Sequence, residues 1–456
     1  MRTDITRQIA QYIATTSYDS LPQDVIEHCK RSMMDYFAAV LLGSEHPKTR
    51  ILADYLKETN AASECSVLGF DFKLDAASSA FVNGCSTHAY DFDDGHTKGS
   101  IHVEAVVFPA VLSVAEKYNA SPRQIIEAII VGYDTMIRIS MAMHPHALNR
   151  GFHNTPVAGV FGATAAAAKI LGLDEEQIIN ALGLAGSFSG GLYAYMQNGA
   201  DTKRLHPGKA ARDGIICAEL AKKGYVGPSQ IFEGIHNFFA AIPGHVDEDL
   251  LLNGLGSIYE ICNIYQKPYA CCRHMHGPMD CIYTIRREHP AVMRYEDIQE
   301  IRVGTYAVAM KHAGKGHDNR LAVQMSIPCG IVMCMLDEEI TLDSFSAKRF
   351  SDGSIETALL DKITVFPYEE CEKLYPAARP TRVWVEMKNG ETYFAGMDNP
   401  RGGAACPFTA QDLENKLHTN TRGILADEQC ETLMELIWSL DNLSADSLQK
   451  LYSGCR

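Results

Sequence analysis

Histidines beside helix-start signals are the residues of this sequence best suited to chemistry. Nine of the 17 histidines fall in four short windows, which contain His88, His96 and His102; His144, His146 and His153; His206; and His274 and His276. In each window one histidine comes just before a segment with a helix-start pattern; these are His102, His153, His206 and His276. The first turn of a helix has unpaired N–H groups and a partial positive charge, so it attracts anions. We expect these windows to form a carboxylate-binding site, although a single histidine of this kind is often only a helix cap or a surface residue.

Basic side chains lie in or near the same windows. They are Lys98, Lys203, Arg204, Lys209, Lys267 and Arg273. Cations in such positions can create a local positive pocket that holds a small anion. Their presence favours an anion-binding site over a set of unrelated caps.

A second cluster of polar residues runs His88-Ala-Tyr-Asp91-Phe-Asp93-Asp94-Gly-His96. Three carboxylates within four residues repel one another, so burial would raise the pKa of at least one and create a general acid or base. Histidine and aspartate at this density also suit a divalent metal ion. The third possibility is a loop that caps a helix and faces solvent.

Other catalytic motifs give little support. The sequence has no P-loop lysine motif and no G-x-S-x-G motif, and the glycines between 183 and 191 follow no predicted strand, so they predict a loop without a dinucleotide site. Cys271 and Cys272, beside Lys267 and Arg273, could be activated thiols or inert buried ones. The 14 cysteines include no C-x-x-C pair, so we expect reduced thiols and no structural zinc cluster.

The patterns of helix and strand signals divide the chain into three segments. Residues 1–266 carry successive helix signals, including capping boxes at Ser121-Pro-Arg-Gln124 and Asp174-Glu-Glu-Gln177. The segment 267–407 adds strand patterns in IQEIRVGT, DKITVFP and TRVWVEMKNGETYFAG, the last with an Asn-Gly hairpin turn. Helical patterning returns in 408–456. We predict a mainly α fold, with a large helical domain built from both chain ends and an inserted α+β domain.

The composition is that of a globular chain with an acidic surface. The 456 residues are 46% hydrophobic, and 41 Lys and Arg against 56 Asp and Glu give a net charge of −15. No nucleic acid partner is expected, because phosphate backbones bind basic faces, whereas a local positive pocket can still bind a small anion. The N-terminal segment has no apolar signal region and no stretch approaches the ~20 apolar residues of a membrane helix. We therefore expect a cytoplasmic protein with no membrane segment.

Four stretches resemble the MmgE/PrpD family, which includes 2-methylcitrate dehydratases, cis-aconitate decarboxylases and iminodisuccinate epimerases. They are FVNGCSTHAYDFDDGH, FHNTPVAGVFGATAAAAKILG, TKRLHPGKAARDGIICAELAKKGYVGP and KPYACCRHMHGPMD, in the order and spacing of the family. The resemblance implies a helical domain made from both ends of the chain, an α+β lid domain between them, and a homodimer.

The resemblance also implies an active site in the cleft between the two domains. Enzymes of this kind act on small di- or tricarboxylates without a metal or organic cofactor, by moving a proton at the carbon next to a carboxylate. We accordingly predict a cofactor-independent lyase, either a dehydratase or a decarboxylase. The predicted catalytic residues are Asp91, His102, His153, Lys203 and His276, and the predicted substrate-binding residues are Lys267, Arg273 and His206.

Several positions depart from the family's pattern. Gly95 stands where the cis-aconitate decarboxylases have a hydroxyl residue, and Cys329 stands where relatives commonly have tyrosine. Val103 and Glu104 replace the proline that often follows the histidine, and Glu104 would add an anion. The spacing to His102 is similar to that of the epimerase branch.

The alternative is therefore an epimerase or isomerase of a dicarboxylate such as iminodisuccinate. Two further alternatives are a metal-dependent hydrolase that uses His88, Asp91, Asp93 and His96, and a binding protein that has lost catalysis.

Overall fold

The computed structural model describes residues 4–197 and 199–455. The chain forms two compact units, the first composed of Met1–Gln266 and Thr409–Arg456 and the second of Lys267–Phe408. Helices account for most of the described residues, and the sheets are small, which confirms the predicted mainly α fold. None of the described helices is both long enough and apolar enough to cross a bilayer.

The α-helices of the first unit come from both ends of the chain. The N-terminal ones are α1 (Ile5–Thr15), α2 (Gln23–Ser44), α3 (Pro47–Thr59), α4 (Ala76–Thr87), α5 (Glu104–Tyr118), α6 (Pro122–Met143), α7 (His146–Asn149), α8 (Asn154–Ile170), α9 (Glu175–Phe188), α10 (Thr202–Lys222), α11 (Phe238–Ala241) and α12 (Glu248–Leu252). The second unit contains α13 (Arg273–Glu288), α14 (Arg320–Gln324), α15 (Ile327–Leu336), α16 (Ile355–Leu360) and α17 (Glu369–Leu374). The chain then returns to the first unit with α18 (Ala410–Thr421), α19 (Asp427–Trp438) and α20 (Ala445–Ser453).

Short 3-10 helices and strands complete the two units. The 3-10 helices are Tyr18–Ser20, Tyr193–Gln197, Glu260–Asn263, Pro290–Met293, Tyr295–Asp297, Ala307–His312, Asp343–Phe345, Ala347–Phe350 and Leu440–Asn442. The strands are β1 (Cys65–Ser66), β2 (Lys73–Leu74), β3 (Gly95–His96) and β4 (Ile264–Tyr265) in the first unit, and β5 (Ile298–Thr305), β6 (Ile363–Pro367), β7 (Thr381–Met387) and β8 (Thr392–Met397) in the second.

The second unit is built on one four-stranded sheet in the order β6-β5-β7-β8. Strand β5 pairs in parallel with β6 and antiparallel with β7, and β7 pairs antiparallel with β8. Alternate residues of β7 are buried, as expected for a strand with one face on the core. The hairpin turn contains Asn389-Gly390, with Gly390 at φ 90°, which confirms the predicted turn.

Local helix-start signals are largely confirmed. Capping boxes begin α6, α9 and α18, where Ser121, Asp174 and Thr409 each bond reciprocally with the residue three positions later. The predicted loop between residues 183 and 191 is wrong for its first half, because α9 continues to Phe188. A β-carbon on Gly183 would lie 2.4 Å from the carbonyl oxygen of Pro228, so this glycine serves close packing.

Two of the four predicted helix starts beside histidines are also wrong. His102 and His153 do precede α5 and α8, but His206 is the fifth residue of α10 and His276 the fourth of α13. A proline follows each of these two histidines and lies inside the helix. Since proline lacks an N–H, it breaks one hydrogen bond of the first turns without ending the helix.

Glycines allow α4 and α10 to cross at close range in the first unit. A β-carbon on Gly208 would lie 2.2 Å from the carbonyl oxygen of Phe81, and one on Gly84 would lie 2.6 Å from the Cα of Gly208. Only glycine fits such an approach between two backbones. The crossing fixes the C-terminal end of α4, where His88 is the C-cap, relative to the first turns of α10.

A buried ion pair joins the C-terminal segment to the same region. Lys416 of α18 donates from Nζ to Oδ1 of Asp35 in α2 at 2.5 Å and to the carbonyl oxygen of Phe92 at 2.8 Å. Both charged side chains are buried. The contact with Phe92 connects the Asp-rich loop to α18.

Candidate functional site

The Asp-rich segment between α4 and β3 is buried. His88, Asp91, Asp93 and Asp94 are all at most 5% exposed, so a solvent-facing loop is excluded for them. Asp91 has φ 56°, a left-handed conformation that an aspartate tolerates better than most residues. The segment therefore turns its carboxylates inward, where they contact histidines and a lysine.

Asp93 lies between two histidines. Its Oδ2 atom is 2.8 Å from Nδ1 of His88 and 3.4 Å from Nδ1 of His102. Burial alone would raise the pKa of Asp93, but the two imidazoles bring this pKa well below its ordinary value. Burial lowers the pKa of His88 to about 4, although the Asp93 carboxylate acts in the opposite direction. Asp93 is therefore an ionised carboxylate and His88 a neutral imidazole at neutral pH.

His102 has one ring nitrogen committed to the loop and the other directed to Asp91. Its Nδ1 atom is 3.0 Å from the carbonyl oxygen of Asp94, which can only accept, so Nδ1 carries a proton. Its Nε2 atom lies 3.7 Å from Oδ1 of Asp91, longer than a hydrogen bond. The backbone N–H of His102 donates to Oγ1 of Thr155 at 3.2 Å. This tautomer leaves Nε2 to take or give a proton.

Asp91 also pairs with a lysine from the start of α10. Nζ of Lys203 lies 3.1 Å from Oδ1 of Asp91, and both side chains are less than a tenth exposed. His102 and Lys203 thus approach the same carboxylate oxygen. A cation, a carboxylate and an imidazole within one cluster are the groups needed to bind an acid and move a proton.

Asp94 points away from this cluster and serves the start of α5. Its Oδ1 atom accepts from the backbone N–H groups of Val103 and Glu104 at 3.0 and 2.9 Å, and Tyr133 donates to Oδ2 at 2.9 Å. Burial raises the pKa of Asp94 to about 7, against the lowering effect of the hydrogen bond from Glu104. Burial, followed by the charge of Asp35, raises the pKa of the Glu104 carboxyl well above its ordinary value. The raised pKa favours the uncharged form of the Glu104 carboxyl, contrary to the expectation that Glu104 adds an anion.

His153 and His206 form a buried imidazole pair. Their Nδ1 atoms are 2.9 Å apart, a hydrogen bond in which one ring donates and the other accepts. Protonation of both rings would place two donors against each other. Burial, then the charges of His206 and Lys203, lowers the pKa of His153 well below its ordinary value, and burial with Lys209 and Lys203 lowers that of His206 to about 4. The pair is neutral at pH 7.

Aromatic residues that the sequence analysis did not select surround this pair. The ring centroids of Tyr195 and His153 are 5.3 Å apart, and those of Tyr195 and His206 are 5.9 Å apart. Tyr193 packs on both Tyr195 and His153. Nothing in the local pattern near residue 195 distinguishes these tyrosines from core residues, since only the fold brings them to the two histidines.

Three predicted site residues belong to the second unit. Arg273 donates from Nη1 to Nδ1 of His276 at 3.0 Å and to the carbonyl oxygen of Arg401 at 2.7 Å, and from Nη2 to the carbonyl oxygen of Pro400 at 2.9 Å. Since arginine only donates, Nδ1 of His276 accepts and its Nε2–H faces the carbonyl oxygen of Cys271 at 3.2 Å. His276 and Lys267 are at most 1% exposed. Their catalytic and binding roles stay predictions.

Most of the remaining residues of the four windows take other positions. Lys209 pairs with Asp213, Arg204 with Asp201 and the carbonyl oxygen of Ala89, His96 with Glu260, His144 with Asn154, and Lys98 is exposed. These contacts are those of surface and structural residues. The cluster of the first unit therefore consists of Asp91, Asp93, His88, His102, His153, His206 and Lys203.

A metal ion could in principle use part of this cluster. Donor atoms of His88, Asp91, Asp93 and His102 lie within 4.8 Å of one another. The ammonium of Lys203 on Asp91, however, already supplies a positive charge at this position and repels a dication. The donor set consequently suits acid–base chemistry better than metal binding.

Comparisons with known proteins show the family of this chain. The chain belongs to the MmgE/PrpD family: residues 7–249 match the MmgE/PrpD N-terminal domain and residues 269–442 match the MmgE/PrpD C-terminal domain. The family prediction is confirmed.

Among individual proteins, the chain is similar to two cis-aconitate decarboxylases and to one cis-aconitate decarboxylase-like protein. It is 27% identical over 476 residues to the cis-aconitate decarboxylase-like protein oryM of Aspergillus oryzae, covering 99% of this chain and 98% of the relative. It is 26% identical over 467 residues to a cis-aconitate decarboxylase of Aspergillus terreus (97% and 94%). It is 27% identical over 462 residues to that of Homo sapiens (97% and 93%).

Proposed function

We propose that this protein is a lyase that acts on a small di- or tricarboxylate by proton transfer at the carbon next to a carboxylate, with decarboxylation of cis-aconitate as the first candidate reaction. The observation that carries the proposal is the cluster in which Lys203 and His102 approach one oxygen of Asp91. The similarity of the whole chain to cis-aconitate decarboxylases supports the choice of reaction.

Decarboxylation requires an electron sink and an acid. The bond between carbon and the departing carboxylate breaks, carbon dioxide leaves, and the electron pair spreads towards a remaining carboxylate of the substrate. That carboxylate needs a cation beside it, which we assign to Lys203, because a buried ammonium stabilises developing charge more strongly than one in water. The resulting carbanion is then protonated at carbon.

We assign this proton transfer to His102. Its Nδ1–H is held by the carbonyl oxygen of Asp94 and lies 3.4 Å from Oδ2 of Asp93, so Nε2 is the nitrogen that exchanges a proton with the substrate. Nε2 can then take a proton from solvent and deliver it to the substrate carbon. Asp91 orients both Nε2 of His102 and the ammonium of Lys203.

The neutral pair of His153 and His206 suits a different task. Hydrogen bonds from a neutral imidazole can hold a substrate carboxylate or carbonyl oxygen without placing another formal charge in the site. We propose that His153 binds the substrate in this way and that His206 sets its tautomer. Lys267, Arg273 and His276 of the second unit are proposed as further substrate-binding and catalytic residues.

An epimerase of a dicarboxylate is the second candidate, because the same cluster can remove and return a proton at one carbon. The two reactions have different products. A decarboxylase releases carbon dioxide, whereas an epimerase inverts a centre and a dehydratase releases water.

The test is turnover of a panel containing cis-aconitate, 2-methylcitrate, citrate and iminodisuccinate, followed by proton NMR. We expect carbon dioxide loss from cis-aconitate with wild type and a fall in kcat/KM of about 10²–10³ with Lys203→Met. The matched control is Lys222→Met at the other end of the same helix, whose ammonium contacts the carbonyl oxygen of Leu171 at 3.3 Å, and we expect it to stay within a few-fold of wild type.

Circular dichroism of both variants is the check that each one folds. Wild-type activity in Lys203→Met would refute the site assignment, and inversion of iminodisuccinate without carbon dioxide release would favour the epimerase. No reaction with any acid of the panel would contradict the proposed function.

A further inference from the structure

The two adjacent cysteines at the start of α13 have different surroundings. From the sequence, Cys271 and Cys272 could each be an activated thiol or an inert buried one. Cys271 is fully buried, and its Sγ atom lies 3.9 Å from Sδ of Met279. Cys272 is only partly buried and is the N-cap residue of α13. Cys272 is therefore the one of the two that a small reactant in solution can reach.

An imidazole lies against the Cys272 thiol. Nε2 of His312, the last residue of the 3-10 helix Ala307–His312, is 3.6 Å from Sγ of Cys272. Nδ1 of His312 is 3.0 Å from the carbonyl oxygen of Met325, which can only accept, so the proton of the neutral ring is on Nδ1. The lone pair of Nε2 consequently faces the thiol and can take its proton, which is how an adjacent base activates a cysteine.

A second imidazole and a tyrosine fix this arrangement. The rings of His274 and His312 stack at 21° with their centroids 5.1 Å apart, and Nδ1 of His274 is 2.6 Å from Oη of Tyr306. Burial, followed by the charge of Arg379, lowers the pKa of His274 well below its ordinary value, so this ring is neutral. His274 thus holds the His312 ring in place without competing for the thiol proton as a base.

Positive charge beside the sulfur favours its ionised form. Cys272 precedes the 16 residues of α13, and the first turn of a helix carries a partial positive charge. A ring nitrogen of His274 lies within 4.8 Å of the Cys272 sulfur, and Nη1 of Arg379 lies 3.3 and 3.4 Å from the two nitrogens of that ring. The guanidinium that would repel a metal ion at this position stabilises a thiolate.

We propose that Cys272 and His312 form a thiol–imidazole pair that makes Cys272 a site of oxidation by small peroxides. An ordinary thiol is only about 3% ionised at pH 7, and the thiolate is the form that attacks an electrophile. An imidazole and a cation beside the sulfur raise the thiolate fraction. Hydrogen peroxide is small enough to reach a partly buried sulfur atom.

The reaction is a two-electron oxidation of the sulfur. Nε2 of His312 takes the thiol proton, and the thiolate attacks one oxygen of hydrogen peroxide. A sulfur–oxygen bond forms, the oxygen–oxygen bond breaks, and the departing hydroxide takes the proton back from the imidazolium. The products are a sulfenic acid on Cys272 and water, with the peroxide as the oxidant. The proposal does not rest on the proposed lyase reaction, because neither side chain has a role in it.

The test is treatment of the full-length protein with hydrogen peroxide at pH 7 in the presence of dimedone, which traps sulfenic acids, followed by mass spectrometry of its peptides. Fragment ions distinguish Cys272 from Cys271. The comparison within the same molecule is Cys406, an exposed thiol of the same unit. Exposure alone would make Cys406 react first, whereas we expect Cys272 to be labelled about tenfold faster. Labelling of Cys406 at an equal or higher rate would overturn the proposal.

His312→Phe removes the proton acceptor but keeps a ring that can stack on His274. We expect the labelling rate of Cys272 to fall about tenfold, and an unchanged rate would overturn the role of His312. The matched control is His317→Phe, which removes another imidazole of the same unit, one whose Nδ1 atom is 2.8 Å from the carbonyl oxygen of Lys315, and it should label like wild type.

A further variant and an internal reporter guard against misfolding. Cys334 is fully buried, so its labelling would reveal an unfolded variant, and the wild-type comparison with Cys406 then decides. Arg379→Met keeps both members of the pair and should slow the labelling of Cys272 several-fold. An unchanged rate in Arg379→Met would overturn the contribution of the guanidinium.

Discussion

Replacement of Lys416 tests how the C-terminal segment supports the candidate site. Its ammonium is 2.5 Å from the Asp35 carboxylate, and the two side chains are 6% and 0% exposed. Lys416→Met leaves that carboxylate buried without its partner, which costs about 3–5 kcal/mol of stability. The unit has roughly 310 residues, and with an unfolding entropy of ~2.1 cal/mol/K per residue we expect its Tm to fall by about 5–8 °C.

The assay is scanning calorimetry of wild type and variants. The control is Lys48→Met, which removes an exposed pair with Asp201, worth about 0–1 kcal/mol, so its Tm should barely change. The double variant Lys416→Met/Asp35→Leu removes both charges of this pair, and its Tm should exceed that of Lys416→Met.

The loss of stability in Lys416→Met should also depend on pH. Burial raises the pKa of Asp35, and Lys416 opposes this rise, so without the lysine the pKa is higher still. When a carboxyl has a raised pKa in the folded state, the protein becomes less stable as pH increases through that pKa, because the carboxyl of the unfolded chain ionises at lower pH. The deficit of Lys416→Met should therefore be smaller at about pH 5 than at about pH 8. A fall in Tm no greater than that of Lys48→Met, or a double variant no more stable than Lys416→Met, would refute the reasoning.

Three further predictions concern the same unit. Burial raises the pKa of Asp94 to about 7 from an ordinary 3.8, so ionisation of this carboxyl destabilises the folded protein as pH rises. In denaturation experiments the free energy of unfolding of Asp94→Asn, relative to that of wild type, should therefore increase between about pH 5 and pH 8. Gly208→Ala should lower Tm by the equivalent of about 1–3 kcal/mol, since its β-carbon would meet a carbonyl oxygen at 2.2 Å, whereas Gly190→Ala, with open space around it, should not. His206→Gln can still hydrogen-bond to His153 and should keep at least about tenfold more kcat/KM than His206→Leu; equal values would contradict the role of the pair.

Features that depend on neighbours in the sequence could be predicted from it. The capping boxes at Ser121 and Asp174 and the turn at Asn389-Gly390 have local causes, and the structure contains all three. The predicted starts of α10 and α13, just after His206 and His276, are later than the observed starts at Thr202 and Arg273. Both helices begin earlier and accommodate the proline inside, which depends on tertiary packing.

The sequence could predict which residues belong to the candidate site, but not how they contact one another. Residue types and spacing made Asp91, His102, His153 and Lys203 candidates, and the family resemblance assigned them to the active site, but neither indicated the partners that set their protonation. His153 and His206 are 53 positions apart, and only the crossing of helices brings their rings to 2.9 Å. Burial of the Asp-rich loop has the same origin, since it depends on packing from both ends of the chain.

The central claim is that the cluster around His102 delivers a proton to a carbon next to a carboxylate. The most direct measurement is proton NMR of cis-aconitate incubated with the protein in deuterated water. We predict one deuterium in the product for each carbon dioxide released, and a loss of both in His102→Gln. Wild-type deuterium incorporation and carbon dioxide release in a folded His102→Gln variant, or no reaction and no exchange with the wild-type protein, would contradict it.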